Sequence, residues 1–206
     1  MTEVTRSMEA TAATAAGRVA RQRQALPNGW WAMALVVATE FTLFASLIAT
    51  YFYLRFRSGS WPPAGIDPPS VTLPLVLTGI LVLACMPMLG AVRASRSGRT
   101  WHAWGLIALA LAVQGAYLGL QIHLFVGDID GFSPTATAYG SIYFTLLGVH
   151  HAHVAVGLLL DAWLLAVLPF GLTNYRSIAI RVIALYWYFV AATAVLVVFT
   201  QLYPSL

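Results

Sequence analysis

Lysine is absent from this chain, and all eleven basic residues are arginines. Charge of either sign is scarce, at 9% of residues against roughly 25% in soluble domains. Such a chain cannot cover a water-facing surface with polar groups, which excludes a soluble globular domain. The formal net charge of +4 comes with no basic patch interleaved with aromatics, so it points to no nucleic-acid partner. Cysteine occurs once, as Cys85 inside an apolar run, which excludes an internal disulfide and a cysteine-rich metal centre. No apolar signal-peptide core precedes the first long apolar run. Residues 1–28 therefore read as a disordered cytoplasmic tail, followed by one domain over residues 29–206.

What the chain does have is apolar residues, 60% of the total, in runs long enough to cross a bilayer, which takes about 20 residues. Five stretches qualify: residues 30–54, 71–92, 101–126, 139–170 and 178–203. Continuous runs of this kind predict helices, because every backbone polar group must be satisfied inside lipid, whereas a barrel would show short alternating segments. The expected fold is all-α, an integral membrane bundle of five transmembrane helices. The proline-rich stretch from Ser58 to Ser70 and the aspartate-bearing stretch from Gly127 to Thr137 read as loops. Pro87 predicts a kink late in the second span. Gly115 and Gly119 form a small-residue face that would let a helix approach closely, and Gly148 and Gly157 have the same form.

Arginine placement orients the bundle. With the N-terminus in the cytoplasm, Arg6, Arg18, Arg21, Arg23, Arg93, Arg96, Arg99, Arg176 and Arg181 fall inside, and Arg55 and Arg57 outside. Five spans then put the C-terminus outside. Trp30, Trp31, Trp61, Trp101, Trp104 and Tyr203 lie at span ends, as an aromatic belt would.

Ionisable groups within spans are costly and mark function by default. Glu40 lies near the middle of the first span, and His150, His151, His153 and Asp161 lie in the fourth. Helical periodicity places Tyr143 and Asp161 within about 20° of His150, and His153 roughly 60° from it. The fourth helix thus carries a polar stripe of Tyr143, His150, His153 and Asp161, with His151 diverging. Two readings of Glu40 stand: a proton or hydrogen-bond network with a histidine of the fourth helix, or a packing contact to a backbone carbonyl. For His150 and His153 a structural hydrogen bond is favoured over proton transfer. His151 reads as a subunit or loop contact, and Asp161 as a group approaching the cytoplasmic interface near Arg176. A metal needs convergent ligands, and the divergence of His151 argues against one; a bis-histidine heme through His123 is the other arrangement the spacing allows.

Several motifs occur in one order along the chain. They are Thr39-Glu40-Phe41, Trp61-Pro62-Pro63, Leu73-Pro74-Leu75, Tyr139-Gly140-Ser141-Ile142-Tyr143-Phe144, Gly148-Val149-His150-His151-Ala152-His153-Val154 and Tyr186-Trp187-Tyr188-Phe189-Val190. Together these resemble the third subunit of the heme-copper cytochrome c oxidases, in its shorter five-helix bacterial form. Two positions depart from the family's closing motif: Tyr188 stands where it has histidine and Ala191 where it has aspartate. The acidic residue after its Leu-Gln pair also has no counterpart following Leu120-Gln121.

The resemblance implies an accessory, non-redox subunit of a terminal oxidase. Such a chain has no cofactor or metal of its own and is not catalytic by itself. Its partners would be catalytic subunit I, the other oxidase subunits and bound phospholipids. It would sit in the bacterial plasma membrane and support proton uptake and oxygen access in aerobic respiration. Glu40, His150 and His153 correspond to the family's lipid-cleft positions. The chain also lacks the histidine sets over several helices that two hemes and a copper need, and the paired cysteines of a binuclear copper site. Two other functions remain open: an accessory protein of a nitric oxide reductase, and an independent transporter, which would call for broken helices and an internal repeat.

Overall fold

The computed structural model describes residues 28–67, 70 and 72–202. The expected tail lies outside the described residues except for Asn28, and so does Tyr203. The described residues are all-helical. They comprise α1 (Asn28–Arg57), α2 (Thr72–Leu83), α3 (Cys85–Arg96), α4 (Thr100–Gly131), α5 (Ala138–Val167) and α6 (Asn174–Leu202), with a 3-10 turn at Leu168–Phe170. α2 and α3 together make one membrane-crossing length, so the bundle has five spans.

Local chemistry explains where these helices bend and stop. Ala84 separates α2 from α3, one turn before Pro87, whose ring lacks an N–H and crowds the carbonyl four residues earlier. Gly98 closes the turn into α4 with a φ of 70°, in the left-handed region that favours glycine. Thr137 caps α5 by accepting the Gly140 N–H at 3.0 Å. Polar residues in α1 satisfy themselves. The hydroxyls of Thr39, Thr42, Ser46 and Thr50 each donate to a carbonyl of the preceding turn at 2.8–3.0 Å, which lets them face lipid at little cost.

α6 is the hub, packing against α1, α2, α3 and α5, whereas α1 sits at the edge against α5 and α6. Trp187, Val190, Ala194 and Val197 bury the centre of α6. Neighbouring α4 and α5 pack side by side, and Trp104 Nε1 of α4 donates to the Leu165 carbonyl of α5 at 3.1 Å.

Four expectations are corrected. The stretch from Gly127 is not wholly loop: α4 continues to Gly131, so Asp128 lies on its last turn. Trp61 is no belt residue. It is buried, edge-on to Tyr51 at 5.2 Å and to Tyr139 at 5.0 Å, under a loop that folds back over the bundle. A Cβ at Gly115 or Gly119 would meet nothing within 4 Å among the described residues, so their face is not a helix crossing among those residues. His151 is buried in the chain itself, edge-on to Phe125 of α4 at 5.5 Å.

Candidate functional site

The polar groups of α5 divide between two faces. One meets α4 and α6 inside the bundle, and the other meets α1 at the bundle's edge.

On the inner face, Tyr143 donates to Asp128 Oδ2 of α4 at 2.7 Å. Gln201 of α6 donates to the Tyr143 carbonyl at 3.3 Å. Two turns further, His150 Nε2 lies 3.1 Å from the Tyr117 hydroxyl, and that hydroxyl accepts from Gln121 at 3.2 Å. His150 is 1% exposed. Further along, Asp161 is wholly buried. Its Oδ2 accepts from Trp187 Nε1 of α6 at 3.0 Å. The Gln114 amide, oriented with its nitrogen toward Asp161, donates to the same oxygen at 3.0 Å and to the Ala110 carbonyl at 3.0 Å. Asp161 thus ties three helices together. The sequence expectation sets Asp161 toward the cytoplasmic interface near Arg176; the structure buries it among α4, α5 and α6, and Arg176 donates to the Gly171 carbonyl. The periodicity places Asp161 on the face of His150, and that face points inward.

The outer face carries one pair. His153 Nε2 lies 3.1 Å from Glu40 Oε2 of α1. His153 Nδ1 lies 2.7 Å from the Val149 carbonyl. A carbonyl only accepts, so Nδ1 carries a hydrogen. The Nε2–Oε2 bond then needs a second proton. The pair is either imidazolium with carboxylate or imidazole with carboxylic acid, and both forms share one proton at no net charge. Phe44 stacks obliquely on the His153 ring at 5.1 Å. The Tyr186 hydroxyl donates to the His153 carbonyl at 2.8 Å and so pins α6 beneath the pair. The side chains of His153 and Glu40 are 14% and 33% exposed. They open on a shallow cavity of about 210 Å³ lined by Val36, Ala152, Val156 and Tyr186. Apart from Tyr186, its other walls are apolar.

The structure therefore joins Glu40 with His153 and keeps His150, Tyr143 and Asp161 apart from them on the inner face. His153 leaves the stripe because an offset of roughly 60° is enough to cross from the α4 side to the α1 side. The partners that sequence reasoning missed are Gln114, Tyr117, Gln121, Asp128 and Trp187. Three of them carry a signal: Gln114, Tyr117 and Gln121 recur at a spacing of three and four residues in an apolar span, which puts them on one face. Asp128 gives none, since its stretch reads as loop.

The family described as cytochrome c oxidase subunit III matches this chain over residues 8–205. The chain is 31% identical over 166 residues to subunit 3 of the cytochrome bo(3) ubiquinol oxidase of Pseudomonas aeruginosa, covering 78% of this chain and 76% of that one. It is 30% identical over 178 residues to cytochrome c oxidase subunit 3 of Bacillus subtilis, covering 85% and 84%. It is also 30% identical over 185 residues to quinol oxidase subunit 3 of Bacillus spizizenii, again covering 85% and 84%.

Proposed function

Since this chain belongs to the cytochrome c oxidase subunit III family, we propose that it is the accessory, non-redox third subunit of a heme-copper terminal oxidase in a bacterial plasma membrane. In this reading it packs on the catalytic subunit, holds phospholipid at its edge, and sustains proton uptake and oxygen access during aerobic respiration. The observation that carries the reading is the Glu40–His153 pair. A carboxyl group and an imidazole share one proton at 3.1 Å on a mostly apolar groove at the bundle's edge, while the other histidine of the motif is spent on fastening helices. An intramembrane carboxyl group at the edge of a bundle is expensive. It is understandable where a lipid or a neighbouring subunit completes its surroundings.

The relatives include subunits of both a ubiquinol oxidase and a cytochrome c oxidase. That mixture supports a role which does not touch the electron donor. Affinity purification of the tagged chain in mild detergent tests the assignment, with a visible spectrum and mass spectrometry of what accompanies it. Co-purification of a heme-containing oxidase is expected, with heme lost from the chain once the subunits are separated. Co-purification of a nitric oxide reductase, or of no partner, would overturn it.

A further inference from the structure

Away from the Glu40 groove, α3 and α6 leave a second depression at the arginine-rich end of the bundle. It has a volume of about 300 Å³, and its polar lining comes from Arg96, Arg181, Trp30 and Tyr188. Three of these residues come from helices that begin or end on that side: Trp30 near the start of α1, Arg96 at the end of α3, Arg181 in the second turn of α6. α1 packs on α6 at Gly29, where a Cβ would be in ordinary contact with Val182 and Ile178 at 3.7 and 3.8 Å. Among the described residues no carboxylate lines the depression. The one ion pair among the described residues is Glu40 with His153, so neither arginine has an acidic partner there. Arg181 Nε is buried and has no hydrogen-bond partner among the described residues.

The depression does not end at the arginines. Leu89 and Tyr188 also line a neighbouring cavity of about 530 Å³ that continues between the same helices toward Val82 and Val195. That cavity is walled almost wholly by apolar side chains, Ala191 and Ala192 among them. Ala191 is a position at which the closing motif departs from the family's aspartate, and here it leaves the lining without a carboxylate. Val82 and Arg96 lie fourteen residues apart along α2 and α3, or about 21 Å at the helical rise. One leaflet with its headgroup region is about 20 Å deep. The groove thus has the length of one lipid, with cationic donors and interfacial aromatics at one end and hydrocarbon along the rest.

We propose that the α3–α6 groove is a binding site for one anionic phospholipid of the cytoplasmic leaflet, its phosphate held between Arg96 and Arg181 and an acyl chain laid along Leu89, Met86 and Ala192. Two unpaired guanidinium groups in a basic pocket between spanning helices match a phosphate headgroup. The continuous apolar track selects a lipid over free phosphate. This site is separate from the Glu40 groove, which lies between α1, α5 and α6.

The test reconstitutes the purified protein, with whatever subunits it retains, in nanodiscs of phosphatidylcholine with and without phosphatidylglycerol. Lipid that survives detergent washing is then quantified by mass spectrometry. Phosphatidylglycerol is expected to be retained over phosphatidylcholine. The preference should fall about fivefold for each arginine removed in R96Q and R181Q. Ala192→Phe, which fills the track and leaves both arginines in place, should lower retention too. Equal retention of the two lipids by the unaltered protein would overturn the proposal. So would an undiminished preference in the R96Q/R181Q variant or in Ala192→Phe. If the arginine variants fail to fold, the comparison of lipids on the unaltered protein and Ala192→Phe decide it.

Discussion

The two faces of α5 hold similar chemistry in opposite settings. Toward α4 and α6, Tyr143, His150 and Asp161 each find a partner inside the protein, and His150 and Asp161 are sealed from any surroundings. Toward α1, His153 finds Glu40, and the pair stays partly open at the edge. Helices in lipid gain nothing from burying apolar surface against each other, so steric fit and interhelical hydrogen bonds hold them together. A sealed polar group therefore acts as a fastener, because it has nowhere to go if its partner is lost. An open pair can lose its partner and be completed by lipid, by water or by another subunit. The same residue types are thus sealed on one face and left partly open to the surroundings on the other.

The sharpest way to break this comparison is at Asp161. Asp161→Leu leaves the Trp187 Nε1–H and one of the two Gln114 amide N–H groups without an acceptor, at about 1–3 kcal/mol for each orphaned donor. The unfolding midpoint, measured by chemical denaturation in nanodiscs, should fall further than for a substitution at Gly157, His150 or Glu40. Adding Gln114→Leu removes one orphan and should restore part of the loss. A midpoint unchanged by Asp161→Leu would mean that the sealed face is not a fastener.

Gly157 tests the same joint by shape. A Cβ there would stand 2.6 Å from Trp187 Cζ2, so Gly157→Ala must push the indole away from Asp161. The expected cost is about 1–3 kcal/mol, and changed Trp187 fluorescence should accompany it. If stability and fluorescence both stay as they were, the indole does not rest on Gly157.

His150→Leu should cost less, about 0.6–2 kcal/mol, as single interhelical hydrogen bonds in membranes do. Thermal stability of the purified complex reports it, and no change would remove His150 from the fastening set.

The smallest effect on stability, below about 1 kcal/mol, belongs to Glu40→Ala on the open face. Assembly should survive, but activity should decay sooner over repeated turnovers of the complex. An unaltered turnover lifetime would show that the open pair has no part in sustained activity.

Much of this arrangement is legible in the amino-acid sequence. Five apolar runs and scarce charge determine the span count, because the bilayer imposes length and satisfied backbones on any sequence that crosses it, and the one-sided arginines are the basis of the expected orientation. The polar residues of α5 and the carboxyl group of α1 stand out for the same reason: charge in hydrocarbon is too costly to be incidental. Periodicity even places Tyr143, His150 and Asp161 on one face. It does not say which neighbour that face meets. That choice depends on how the helices are arranged around α6, and on small differences in rotation that separate His153 from His150. Only the tertiary structure decided that Glu40 meets His153, that Asp161 joins Gln114 and Trp187 rather than nearing Arg176, and that Arg96 and Arg181 converge across α3 and α6. Pairings between distant segments depend on packing, and packing depends on every side chain along the contact rather than on the period of any one helix.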